Sequence, residues 1–175
     1  MTRGLLMVYT GGGKGKTTAA LGMALRSLGH KRKVIMIQFM KGPGNVYGET
    51  LAAEAFLPGF TIEKYGRDVF VNKKHPHPDD IDLARQGFER AREVLSSGEW
   101  DLVILDELNV AADFGLLNWD EVLPALASRH ERTDVVVTGR NASEALIDMA
   151  DLVTEVKEIK HPYRAGIPAK KGVEF

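Results

Sequence analysis

Nine consecutive residues near the start of the 175-residue chain, Thr10-Gly11-Gly12-Gly13-Lys14-Gly15-Lys16-Thr17-Thr18, carry the types and spacing that phosphate chemistry needs. Glycines Gly11, Gly12, Gly13 and Gly15 let successive backbone N–H groups turn inward on phosphate oxygens. Lys16 supplies a full positive charge, and the hydroxyl of Thr17 or Thr18 can ligate magnesium. An apolar run precedes the loop and a helical pattern follows it, so a helix N-terminus adds its partial positive charge. This is a P-loop, with one departure. Three residues separate Gly11 from Gly15 where the common form has four, and Thr10 holds the usual glycine position. The loop is one residue tighter, and its phosphate path is expected to differ from that of an ordinary ATPase.

A second set of candidates lies at Leu102-Val103-Ile104-Leu105-Asp106-Glu107, an apolar strand ending in two carboxylates. In P-loop proteins an acid at such a strand end organises the magnesium shell with the loop's Ser/Thr. Thr17, Asp106 and Glu107 are therefore the candidate metal residues, and Lys16, Thr17 and Glu107 the candidate catalytic ones. A third strand end, Thr138-Gly139-Arg140, offers an arginine that could meet phosphate or simply lie on the surface. His75-Pro76-His77-Pro78-Asp79 brings two imidazoles and a carboxylate together, but its prolines and lack of further ligands read as a rigid lead into a helix. No convincing nucleophile and base pair stands out.

The elements that must position these residues follow from apolar patterning. Short runs rich in Val, Ile and Leu alternate with helical patterns, the signature of a parallel α/β sheet covered on both faces. Six strands are expected, at Leu5 to Thr10, Lys33 to Phe39, Phe60 to Tyr65, Asp101 to Asp106, Asp134 to Thr138 and Val153 to Ile159, the last alternating like an edge strand. Lys16 to Leu28 reads as a largely buried helix capped by Gly29. Asp79 to Leu95 reads as an amphipathic helix started by Pro78 and two acids, and Trp119 to Leu126 as another with Asn118 as N-cap. Arg67 to Pro78 fits no regular element, and long loops in compact domains are often functional.

With 23 Lys+Arg against 24 Asp+Glu the chain has a net charge of −1. That is too little positive charge for a nucleic-acid or membrane-surface role. Five basic residues from Lys157 to Lys171 against Glu158 and Glu174 read as a solvated tail. The absence of cysteine excludes a thiol nucleophile, a thiolate zinc site and a disulfide framework. Neither a signal-peptide pattern nor a run of ~20 apolar residues occurs, so a single cytoplasmic domain spanning residues 1–175 is expected.

Five segments occur in the order seen in one known family. Val8 to Ala20 with its tight glycine loop, Gln38-Phe39-Met40-Lys41-Gly42, Leu105-Asp106-Glu107-Leu108, Thr138-Gly139-Arg140 and Lys160-His161-Pro162-Tyr163 together resemble the ATP:corrinoid adenosyltransferases of the P-loop CobA/BtuR type. The resemblance runs from Val8 to Phe175. It implies a P-loop NTPase-like, RecA-like, mostly parallel sheet. It also implies transfer of the 5′-deoxyadenosyl group of ATP to cobalt(I) of a reduced corrinoid such as cobalamin, with release of triphosphate. ATP with magnesium, a homodimer, and an electron-donating reductase or flavoprotein partner come with it. ATP contacts are implied at Gly11, Gly12, Gly13, Lys14, Gly15, Lys16, Thr17, Thr18 and Arg140. Family members place aromatics below the corrin in a stretch that reads here Gly66-Arg67-Asp68-Val69-Phe70-Val71, which leaves Phe70 as the candidate lower-face residue. The rival from another class is a RecA-like ATPase or nucleotide-dependent switch using the same loop and the same acids, separable by its products, ADP and phosphate.

Overall fold

The computed structural model describes residues 3–174. Five of its strands are β1 (Leu6–Thr10), β2 (Val34–Phe39), β3 (Phe60–Tyr65), β4 (Leu102–Asp106) and β5 (Asp134–Thr138). With β6 (Leu152–Glu155) they form one all-parallel sheet in the order β3-β2-β4-β5-β1-β6. Parallel pairing requires crossovers, and helices supply them on both faces. Alternation along β2 divides the core. Val34 and Met36 pack in one layer with Ala20 and Ala24 of α1 (Lys16–Gly29) and Ala53 of α2 (Gly48–Phe56). Ile35, Ile37 and Phe39 pack in the other with Ala84, Phe88 and Leu95 of α3 (Pro78–Ser97), Leu108 of α4 (Leu108–Asp113), Val122 and Leu126 of α5 (Trp119–Ala127) and Leu146 of α6 (Glu144–Met149).

Because every strand runs the same way, all carboxyl ends lie on one edge of the sheet, where α/β proteins bind ligands at the point where strand order reverses. Here β1 lies between β5 and β6, while α1 carries the chain past β5 and β4 to β2. Four strands leave this edge through a residue with positive φ: Gly11 after β1 (97°), Met40 after β2 (60°), Glu107 after β4 (62°) and Gly139 after β5 (127°). For Met40 and Glu107, which carry side chains, that conformation costs of order 1 kcal/mol or more each, and such strain clusters at functional sites.

The expectations for α1 and β6 need correction. Helix α1 runs through Gly29 and is capped by His30, with Lys31 taking the left-handed turn at φ 59°. It is also less buried than its composition predicts, since Leu25 is exposed. Strand β6 is short because β1 ends at Thr10, opposite Glu155, and beyond that point the Val156 carbonyl accepts from the Gly13 N–H instead (2.8 Å). The imidazole of His77 accepts from the Asp79 N–H (3.2 Å) and completes a capping box with Asp80 at the start of α3. No group of His, Asp and Glu among the described residues could hold a metal by itself. No helix among them is long and apolar enough to cross a membrane.

Candidate functional site

The glycine loop fills the gap between β1 and α1 because three glycines meet two demands there, close backbone approach and a left-handed turn. A Cβ on Gly11 would lie 2.5 Å from the Val156 carbonyl oxygen, and one on Gly13 would lie 2.7 Å from the backbone of Lys157. Gly15 begins α1 with φ 118°, a conformation side chains rarely adopt. Lys16 is buried, and its ammonium donates to the carbonyls of Gly11 (2.9 Å) and Gly13 (2.7 Å). Burial lowers its pKa, Arg140 adds to that, and the Glu107 and Asp106 carboxylates oppose it.

Asp106 is the centre of the site. The Thr17 hydroxyl donates to its Oδ1 (2.8 Å), as does Thr138 (2.7 Å), while Gln38 Nε2 (3.2 Å) and the Lys41 ammonium (3.0 Å) donate to Oδ2. Thr138 in turn accepts from the Glu107 N–H (3.0 Å), which stabilises the left-handed backbone there. Burial lifts the Glu107 carboxyl above the ordinary glutamate range and Asp106 pushes the same way, against Lys41, Lys16 and Arg140. For Lys41, burial works against the charged form, but the Asp106 and Glu49 carboxylates outweigh it and leave the ammonium pKa raised.

Lys16, Thr17, Lys41, Glu49 and Glu107 face a cleft of about 1010 Å³ that also takes in Gly12, Gly13, Lys14, Gly15, Thr18 and Arg140, whereas the fully buried Asp106, Gln38 and Thr138 do not line it. That volume stands at the top of the roughly 300–1,000 Å³ typical of small-molecule sites. Lys14 lies at its rim, ion-paired with Glu174. Gly11, expected to contact ATP, does not line the cleft; a side chain there would collide with the Val156 backbone. Phe70 does not line this cleft: it stands fully exposed on the 66–77 loop, so it is not a core residue.

Gln38 and Lys41 stood in the sequence only as part of a segment shared with the family, without a role, Glu49 and Tyr47 were not singled out, and the wall formed by Glu158, His161, Tyr163 and Arg164 had no firm role. A signal existed for Gln38, a polar residue inside the apolar run Val-Ile-Met-Ile-Gln-Phe. The proximity of Lys41 to Asp106 depends on β2 pairing with β4, with Gln38 opposite Asp106, which no local pattern reveals.

The fold and the sequence each have relatives. A crystal structure of the RadB recombinase superposes with a TM-score of 0.50 at 16% identity, covering 91% of this chain and 77% of that one. This places the sheet among RecA-like P-loop folds. A corrinoid adenosyltransferase of Pseudomonas aeruginosa is 40% identical over 99% of this chain and 84% of its own length. Those of Escherichia coli K12 and Salmonella typhimurium LT2 are 35% and 33% identical, each over 99% of this chain and 86% of theirs. The family described as ATP:corrinoid adenosyltransferase BtuR/CobO/CobP matches residues 2–175. With a match of that extent and the tight glycine loop facing paired strand-end acids, the chain belongs to the ATP:corrinoid adenosyltransferase family.

Proposed function

We propose that this enzyme transfers the 5′-deoxyadenosyl group of ATP to the cobalt(I) of a reduced corrinoid in the cleft above the glycine loop. The electron pair on cobalt forms the cobalt–carbon bond at C5′. The C5′–oxygen bond breaks with its pair passing to the leaving triphosphate, and cobalt becomes formally cobalt(III). The full-length family match carries this reading. The chemistry of the site supports it, because cobalt(I) has no proton to lose and no general base is needed. What the step requires is charge stabilisation on the triphosphate, and Lys16, Arg140 and the loop N–H groups line the same cleft.

The residues fit magnesium. Thr17 spends its hydrogen on Asp106 and keeps oxygen lone pairs for a cation, and the Glu107 carboxylate lines the same cleft, an all-oxygen set suited to that ion. Bound there, magnesium would offset triphosphate charge. Since the bond broken is at C5′, the α-phosphate end of ATP faces the corrinoid, in a sense different from that of ordinary ATPases. Phe70 is the proposed cover for the lower corrin face, where an apolar ring offers no lone pair to cobalt. The protein acts as one unit in the cytoplasm, as a homodimer supplied with electrons by a reductase or flavoprotein. Anaerobic incubation with ATP and pre-reduced cobalamin tests the reaction. Appearance of the alkyl-cobalt spectrum is expected, and ADP and phosphate without any spectral change would contradict it.

A further inference from the structure

Asp106 is fully buried, yet nothing about it is bare. A carboxylate offers about four acceptor positions. Here four donors occupy them: the Thr17 and Thr138 hydroxyls on Oδ1, and Gln38 Nε2 and the Lys41 ammonium on Oδ2. A cation approaching Asp106 must displace one of these or remain beyond Thr17. Lys41 is the only full charge among them. It is aimed by the left-handed turn at Met40 (φ 60°), and it also holds Glu49 of α2 at 3.3 Å. Gln38 Nε2 bridges the same two carboxylates at 3.2 Å each, so Lys41 and Gln38 close a ring that ties the end of β2 to α2 and β4. The side chain of Lys41 is largely buried, and its ammonium lies 4.9 Å from the centre of the Tyr47 ring. This is a built position, not a chance surface contact.

We propose that Lys41 is the standing counter-charge of Asp106, a positioning residue that sets how strongly nucleotide binding depends on the divalent metal. This rests on the metal site proposed above. With Lys41 present, Asp106 and Glu49 together carry a net charge of −1; without it they would carry −2. In a partly buried site that difference acts on a divalent ion beside Thr17 far more strongly than it would in water. The enzyme thus keeps Asp106 neutralised and Thr17 aligned even before any metal arrives, and the metal adds less to ATP affinity than it would beside a bare acid.

The test is ATP binding by calorimetry without corrinoid, in EDTA and in saturating magnesium, for wild type, Lys41→Met, Lys41→Gln and Lys41→Arg. The readout is the ratio of the two dissociation constants within each variant, which cancels a general loss of affinity. The ratio should rise about tenfold or more in Lys41→Met and Lys41→Gln and stay near wild type in Lys41→Arg. In an Asp106→Asn background the Lys41→Met effect should shrink to about twofold or less, because the charge to be countered is gone. An unchanged ratio would overturn the proposal. So would a rise that persists undiminished with Asp106→Asn, or loss of all ATP binding in both neutral variants while Lys41→Arg still binds, since either makes Lys41 a direct phosphate ligand. Adenosyl transfer plays no part in this measurement, so its failure and that of the transferase reading are separate results.

Discussion

The Lys16 ammonium donates to the Gly11 and Gly13 carbonyls, and under the proposed function ATP would offer it charged phosphate oxygens in place of these neutral acceptors. Charge-assisted hydrogen bonds are the stronger kind, and the buried position of Lys16 amplifies them. Lys16→Ala should cut transfer to pre-reduced cobalamin by more than about a hundredfold, a loss of roughly 3 kcal/mol or more in transition-state stabilisation. Near-normal turnover would remove the loop from the mechanism. Glu107 makes a different prediction, since its raised carboxyl pKa, caused first by burial and then by Asp106, means the folded state holds that proton more tightly than the unfolded chain. The associated stability is fully present below the ordinary glutamate pKa and is lost as pH rises through the raised value. Glu107→Gln carries no charge and escapes that loss. Its unfolding midpoint should exceed wild type at pH 8, with the gap closing toward about pH 4. An equal or lower midpoint at pH 8 would show that the carboxylate is stabilised where it stands.

At the scale of elements, the tie between the glycine loop and the chain beyond β6 is the feature most exposed to test. A Cβ on Gly13 meets Lys157 and Val156 backbone at 2.7 and 2.8 Å, and backbone gives way less readily than a side chain. Gly13→Ala should retain the fold and weaken ATP binding by about tenfold, the scale of a 1.4 kcal/mol loss; unaltered affinity would show that the loop does not need that seat. Asp80 anchors the loop carrying Phe70. It takes a two-bond contact from Arg67 (2.7 and 2.8 Å) and one from the His77 N–H (3.1 Å) while staying buried itself. The Arg67 hydrogen bonds hold its carboxyl below the ordinary aspartate range, so this stability is present at neutral pH and fades as pH falls through the depressed value. Asp80→Asn should lower the unfolding midpoint by several degrees at pH 7 and much less near pH 3. The long elements were legible because apolar runs such as Val34–Ile37 and the spacing of Ala84, Phe88, Ala91 and Leu95 extend over enough residues to fix a period. Helices α4 and α6, of six residues each, were not, because so few turns set no readable period, and α2, though as long as α5, lacks the side-chain N-cap that Asn118 gives α5.

For the whole molecule, sheet order decides what the sequence could not. The loop and the acids were legible as motifs, and Thr17 does meet Asp106 across 89 residues of chain. The Lys41, Gln38 and Glu49 ring was hidden, since it exists only because β2 lies beside β4. Phe70 shows the opposite case, a residue singled out by local pattern that the fold displays fully exposed, away from the phosphate cleft. Truncating it should change stability by no more than about 0.5 kcal/mol. Phe70→Ala should therefore spare transfer from pre-reduced cobalt(I) and slow it sharply when cobalt(II) is reduced on the enzyme; equal rates by both routes would move the lower-face role elsewhere. The reaction itself is measured by its stoichiometry. Wild-type enzyme, ATP and chemically reduced cobalamin are incubated without oxygen while cobalt–carbon absorbance and phosphate products are followed together. One triphosphate should be released for each cobalt–carbon bond formed, and none without corrinoid. Production of ADP and phosphate at the same rate with or without corrinoid, and no cobalt–carbon bond, would contradict it.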